Sequence, residues 1–216
     1  MKIAVISDTH GNVKRASLIL EKAWPFDILV HLGDHAEDLV RLAQNINCRV
    51  YGLLGNEDKS APAQPTATAA ALRDVEICGD LKSTKNDFEK SRVESDKAIG
   101  FSNELVFTAE EVKFYATHGH TFDLNPYYGK EKWNEGIDSL VQRAVEEKAG
   151  VVLFGHTHSL FLEVIRGVLV MNPGDIYPGA EWGHIGIMEV LGGDIKAEVL
   201  RFDKEGEFKK HLQIKK

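Results

Sequence analysis

The chain has 216 residues, 43% of them apolar, which suits one globular domain with a full core or one domain with an appendage. Its formal net charge of -7 argues against the basic stripe that a duplex nucleic-acid surface needs, and its two cysteines, outside any Cys-x-x-Cys pair, cannot build a disulfide framework. The apolar run before Asp8 is too short for a secretory leader and no run approaches membrane-spanning length, so a cytoplasmic protein without a membrane span is expected.

Residues 3–7 form a short apolar, β-branched run that reads as a buried strand. Residues 13–23 carry Val13, Ala16, Leu20 and Ala23 near helical spacing, with Asn12 as a candidate N-cap. A strand at 28–30, a helix over 36–45 and a strand at 50–54 complete a βαβαβ opening. Asp8, Asp34 and Asn56 each follow one of these strands. Parallel strands end together, so all three residues should meet at one carboxyl edge, where open α/β sheets bind ligands.

Residues 59–72 are rich in Ala, Pro and Thr, and residues 80–97 mix acids and bases with few large apolar side chains. This stretch lacks a core pattern and reads as a solvated insertion. Order returns in strands at 105–107 and 112–116, expected to form an antiparallel pair. A helix spans 130–148, with Trp133, Ile137, Leu140, Val141, Ala144 and Val145 on one face. Strands follow at 151–154, 160–165 and 168–171, the last two flanking an Arg166-Gly167 turn, and a second hairpin joins 185–191 to 195–201. A βαβ first half and a hairpin-rich second half imply an α/β fold of two packed mixed sheets with helices outside. The expected organisation is a single domain over 1–216 with an atypical insertion at 59–112.

Five short segments carry the chemistry: Asp8-Thr9-His10, Gly33-Asp34, Gly55-Asn56, His118-Gly119-His120 and His156-Thr157-His158. They supply carboxylates, an amide and imidazoles, enough to hold two metal ions with Asp34 between them. In a strand, positions i and i+2 point to the same side, so Asp8 and His10 should reach one metal, as should each histidine pair. Glycines before Asp34, Asn56 and His156 fit turns in which backbone approaches a crowded centre. Oxygen and imidazole donors without thiolate suit Mn, Fe, Zn, Co or Ni better than a structural zinc site.

The segments SDTHGN (7–12), HLGD (31–34), LLGNED (53–58), THGH (117–120), FGHTH (154–158) and MNPGD (171–175), in this order, resemble the calcineurin-like metallophosphoesterases. The chain is most similar to their small YfcE-type phosphodiesterases, relatives of a retromer subunit of the same fold. The resemblance covers residues 1–58 and about 114–200. It implies an αββα sandwich and two divalent transition metal ions, manganese first, with iron, nickel, zinc or cobalt as alternatives. Asp8, His10, Asp34 and His158 would hold the first ion. Asp34, Asn56, His118 and His156 would hold the second. Such a pair, roughly 3.5–4 Å apart, shares and activates a hydroxide for attack on a phosphodiester.

The implied activity is phosphodiester hydrolysis on a small substrate, by a protein that forms a homodimer or homotetramer. The alternatives are phosphomonoester or nucleotide hydrolysis on the same centre, or a protein-interaction scaffold of the same fold. Where the resemblance would put a histidine or cysteine acid for the leaving group, this chain has Glu57. Nearby dications lower a carboxyl pKa, so Glu57 is a poor acid, and His120 or metal-held water is the substitute. Asp175 stands where serine is common and, as an anion that would repel phosphate, is placed outside the site. Asn12 reads as a helix cap, Tyr127, Tyr128 and Trp133 as packing residues, and His31, His35, His184 and His211 as structural or surface residues.

Overall fold

The computed structural model describes residues 1–58 and 101–215. Its first half alternates strand and helix: β1 (Lys2–Ile6), α1 (Val13–Ala23), β2 (Ile28–His31), α2 (Glu37–Ala43) and β3 (Arg49–Leu53). After the undescribed stretch come β4 (Phe101–Ser102), β5 (Glu104–Ala109), β6 (Val112–Thr117), α3 (Lys130–Glu146), β7 (Val151–Leu153), β8 (Phe161–Ile165), β9 (Val168–Asn172), β10 (Gly183–Leu191), β11 (Asp194–Phe202) and β12 (Phe208–Lys215).

These strands build two sheets, ordered β12-β11-β10-β1-β2-β3-β4 and β5-β6-β7-β9-β8. Strands β1 to β4 pair in parallel with one another, as do β6, β7 and β9, whereas β10 to β1, β5 to β6 and β8 to β9 are antiparallel. The period-two alternation of side chains explains the layering. On β1, Ile3 and Val5 face the second sheet in a core shared with Phe107, Phe114, Val151 and Leu153. Ala4 and Ile6 face the other way, onto Ala16, Ile19 and Leu20 of α1 and Leu39 and Leu42 of α2. The outer face of the second sheet, through Tyr115, Val152 and Val170, is covered by Ile137, Leu140, Val141 and Ala144 of α3. Two sheets flanked by helices is the architecture expected from the sequence.

Several local expectations change. Asn12 occupies the N-cap position of α1 but makes no side-chain cap, and its amide donates instead to the Ile176 carbonyl at 2.9 Å. Val145, expected on the inner face of α3, is 48% exposed. Two strands were not read from the sequence, the two-residue β4 and the edge strand β12. Residues 101–109, within the expected insertion of 59–112, form β4 and β5 and pair with β3 and β6. Residues 59–100 lie outside the described residues. Among the described residues no helix is long and apolar enough to cross a membrane.

Candidate metal centre

The parallel strands of both sheets release their chains at one edge, and the expected ligands follow them. Asp8 and His10 come after β1, Asp34 after β2, Asn56 after β3, His118 after β6, and His156 and His158 after β7. The strand argument for the i, i+2 pairs fails, because these residues lie beyond the strand ends. Asp8 (φ 52°), His10 (φ 45°), Asp34 (φ 58°), His156 (φ 68°) and His158 (φ 54°) adopt left-handed backbone instead. Each such residue costs roughly 1–2 kcal/mol, so the surrounding contacts must hold the loops in place.

Those contacts are specific. The Asp58 carboxylate accepts from the amides of Asp34 (2.9 Å), Ala36 (2.9 Å) and Gly55 (2.8 Å), which ties the loop after β2 to the loop after β3. Gly55 and Gly155 are required for space: a Cβ at Gly55 would meet the Asp34 amide nitrogen at 2.5 Å, and one at Gly155 would meet Asp8 Oδ2 at 2.8 Å. The close-approach reading of these glycines therefore holds.

A buried triad anchors the β1 loop. Thr9 Oγ1 donates to Asp38 Oδ2 at 2.7 Å and stands 3.1 Å from His31 Nε2, while the Gly11 amide donates to the same Asp38 oxygen at 2.8 Å. His31 Nδ1 accepts from the Gly33 amide at 3.2 Å, so the ring is neutral with its proton on Nε2. His31 is structural, as expected, but it joins the loops that carry Asp8 and Asp34. Burial pushes its pKa down to about 4, against the pull of Asp38 and Asp8. A folded pKa below the unfolded 6.5 means that the unfolded chain binds the extra proton first. This contribution is fully present above pH 6.5 and is lost as pH falls through about 4. Thermal stability is expected to drop across that window, and His31→Gln to flatten the drop, as pH-dependent calorimetry would register.

Asp8, His10, Asp34 and His158 each bring a ligand atom to within 4.8 Å of all the others. His10 Nε2 and His158 Nε2 face each other at 3.3 Å. Asp34 Oδ2 lies 3.9 Å from His10 Nε2, and Asp8 Oδ1 lies 3.2 Å from His158 Nε2. Asp8 Oδ1 is buried and accepts no hydrogen bond despite that proximity. An orphaned carboxylate oxygen beside two converging imidazole nitrogens is the donor set a divalent cation satisfies. Burial raises the Asp34 carboxyl pKa, but hydrogen bonding and charge from His118, with the Glu57 amide and His10, bring it down to about 2. Without a cation, the neighbouring Asp175 and Asp8 carboxylates hold the His158 pKa up at about 10, so a metal must displace a proton there.

The second expected set is looser. His118 Nδ1 donates to the Leu32 carbonyl at 2.8 Å. Its Nε2 therefore faces Asn56 Oδ1 at 3.1 Å and Asp34 Oδ2 at 3.5 Å. Burial lowers the His118 pKa, but the Asp34 and Asp8 carboxylates outweigh it and the net shift is upward. His156 stands with its ring centroid 5.2 Å from that of His118, and its amide donates to Asp8 Oδ2 at 3.1 Å. His120 lies beside them, 5.5 Å from the His118 ring, with its Nδ1 buried and unpaired. Burial, and then the charge of His118, lower its pKa.

The structure changes the readings of Asp175, Tyr127 and Tyr128, and gives Glu57 a partner. Asp175, placed outside the site, puts Oδ2 3.3 Å from His158 Nδ1. Glu57 turns its carboxylate to His10 Nδ1 at 3.1 Å, and its amide donates to Asp34 Oδ1 at 3.0 Å. Tyr127 and Tyr128 are 92% and 60% exposed, so they are not core packing, whereas Trp133 is partly buried against Phe154 and Phe161. Tyr177 was not singled out, yet its ring meets the His10 ring edge-on at 5.0 Å. No local sequence signal marks it.

A family model described as the calcineurin-like phosphoesterase superfamily domain matches residues 1–191. The chain is 27% identical to phosphodiesterase MJ0936 of Methanocaldococcus jannaschii, over 81% of this chain and 84% of that protein. Its fold is similar to that of a predicted phosphoesterase from Streptococcus pneumoniae, with a TM-score of 0.61, 19% identity, and coverage of 100% of this chain and 96% of that one. It is also similar to vacuolar protein sorting 29 from Cryptosporidium parvum, with a TM-score of 0.63, 18% identity, and coverage of 100% and 97%.

Proposed function

The chain belongs to the calcineurin-like phosphoesterase superfamily, and from that premise we propose that it is a metal-dependent phosphodiesterase. Asp8, His10, Asp34 and His158 hold one divalent cation, and Asp34, Asn56, His118 and His156 hold a second, with manganese the expected ion. The observation that carries this reading is the convergence of His10 Nε2 and His158 Nε2 at 3.3 Å beside the unpaired, buried Asp8 Oδ1. The relative named phosphodiesterase supports the reaction class.

Two divalent cations supply Lewis acidity, lowering the pKa of an attacking water and neutralising phosphoryl oxygens. The protein's own groups fix the ligands and the proton inventory. His118 commits its Nδ1 proton to the Leu32 carbonyl and so presents Nε2 to the site. Asp34, ionised far below neutral pH, lies between the two histidine groups. Hydrolysis breaks the bond from phosphorus to the leaving oxygen, which then needs a proton. Glu57 is engaged with His10, and His120 is held neutral by its lowered pKa, so neither is a strong acid for that oxygen. Turnover is therefore slow and favours leaving groups that depart without protonation.

The test is hydrolysis of bis(p-nitrophenyl) phosphate and p-nitrophenyl phosphate by chelated and then manganese-reloaded protein. Manganese-restored diester cleavage, faster than monoester cleavage, is the expected result. Faster monoester cleavage would replace this reading with a phosphomonoesterase. No cleavage with any of Mn, Fe, Ni, Zn or Co would replace it with a protein-interaction scaffold.

A further inference from the structure

We propose that Glu57 and Asp175 are paired positioning residues that lock His10 and His158 with Nδ1 protonated and Nε2 turned inward, making the first metal set the tighter of the two. The inference rests on the metal-centre reading above.

A neutral imidazole has one donor nitrogen and one acceptor nitrogen, and a carboxylate can only accept. Glu57 Oε2 lies 3.1 Å from His10 Nδ1, and Asp175 Oδ2 lies 3.3 Å from His158 Nδ1. Each neutral ring therefore keeps its proton on Nδ1 and its lone pair on Nε2. Once a cation has displaced the second proton of His158, the two Nε2 lone pairs converge across 3.3 Å on the same ion. The first set thus has a carboxylate behind each of its two histidines. In the second set, His118 Nδ1 has a neutral carbonyl behind it, that of Leu32. A carboxylate raises the basicity of a ligating imidazole and orients it, so the first set gains affinity that the carbonyl does not provide.

Both carboxylates are themselves held. The Glu57 amide donates to Asp34 Oδ1 at 3.0 Å, fixing the backbone from which the side chain reaches His10. The Asp175 carbonyl accepts from the His184 amide at 3.0 Å, and Asp175 Oδ1 lies 3.7 Å from His184 Nδ1. Asp175 is 8% exposed, whereas the Glu57 side chain is 51% exposed. Solvent screens Glu57 more, so Asp175 is the stronger of the pair.

A competing use of Glu57 is as a direct ligand. His10, His35 and Glu57 also bring ligand atoms to within 4.8 Å of one another. That use needs the Nδ1 lone pair of His10, which Nε2 ligation by a neutral ring excludes. His35 Nδ1, moreover, already lies 3.2 Å from Glu37 Oε1.

The experiment is calorimetric zinc titration of the chelated full chain, with imidazole ¹⁵N spectra of the zinc-loaded protein. The wild type is expected to bind two equivalents with unequal affinity and to show His10 and His158 protonated on Nδ1. Asp175→Ala should weaken the tighter step by about 10- to 100-fold. Glu57→Ala should weaken the same step by less, leaving the weaker step in place. Asp175→Asn and Glu57→Gln, which keep an acceptor oxygen, should recover part of the affinity. Unchanged affinity in both alanine variants, with two equivalents still bound, would overturn the proposal. So would loss of a whole equivalent in Glu57→Ala, which would make Glu57 a ligand. A wild type that binds no zinc would instead remove the metal-centre reading on which the proposal rests.

Discussion

Asp34→Ala is expected to lower manganese-dependent diester hydrolysis by about a thousandfold or more, from a loss of several kcal/mol of transition-state stabilisation. The reasoning is geometric. Asp34 Oδ2 lies 3.9 Å from His10 Nε2 and 3.5 Å from His118 Nε2, so this one carboxylate faces both ligand sets. It is 2% exposed and ionised at every working pH, its carboxyl held near 2. Removing it strips charge from both sets and leaves the Glu57 amide without its acceptor. Alanine also tolerates the left-handed backbone at this position (φ 58°) less well than aspartate. Asp34→Asn separates the two effects, because asparagine accepts that backbone and keeps the shape while losing the charge. Both variants should lose activity, and Asp34→Asn should melt closer to the wild type. Steady-state rates at saturating manganese check this, and an Asp34→Asn enzyme within tenfold of wild type would contradict it.

Gly155→Ala is expected to destabilise the fold by about 1–3 kcal/mol through overpacking, lowering the melting temperature by roughly 2–12 °C for a chain of this size. The new Cβ would fall inside the contact distance of Ser7 Oγ, 3.0 Å from Ser7 Cβ and 2.8 Å from Asp8 Oδ2. The backbone cannot retreat easily. The Gly155 amide donates to the His118 carbonyl at 2.9 Å, and its own carbonyl accepts from Asn172 Nδ2 at 2.8 Å. Asp8 would have to yield instead, which disturbs the first ligand set. Ser7→Ala in the same chain removes the closest obstacle, and Ser7 Oγ makes no hydrogen bond whose loss would offset the relief. Calorimetry of the single and double variants should therefore show partial rescue. A Gly155→Ala protein that melts and binds metal like wild type would show that the loop has more room than these distances allow.

Much of this was legible in the sequence. Helix α1 was read with the boundaries it has, because Val13, Ala16, Leu20 and Ala23 lie near helical spacing after Asn12. Strand β12 was not, because its lysines mask the alternation of Phe208, Leu212 and Ile214, as suits an edge strand. The expected ligands could be listed because their residue types recur after strand after strand. Their backbone could not be read, since five of them sit in left-handed turns maintained by residues distant in sequence, such as Asp38 and Asp58. Glu57 and Asp175 were misfits to the resemblance when each charge was judged alone. In three dimensions each faces the outer nitrogen of a histidine, a contact no local pattern encodes.

The most direct measurement is anomalous diffraction at the manganese edge from crystals of the manganese-loaded protein. Two peaks are predicted, one among Asp8, His10, Asp34 and His158 and one among Asp34, Asn56, His118 and His156. The absence of both peaks, or a peak among His10, His35 and Glu57 in place of the first, would contradict the account.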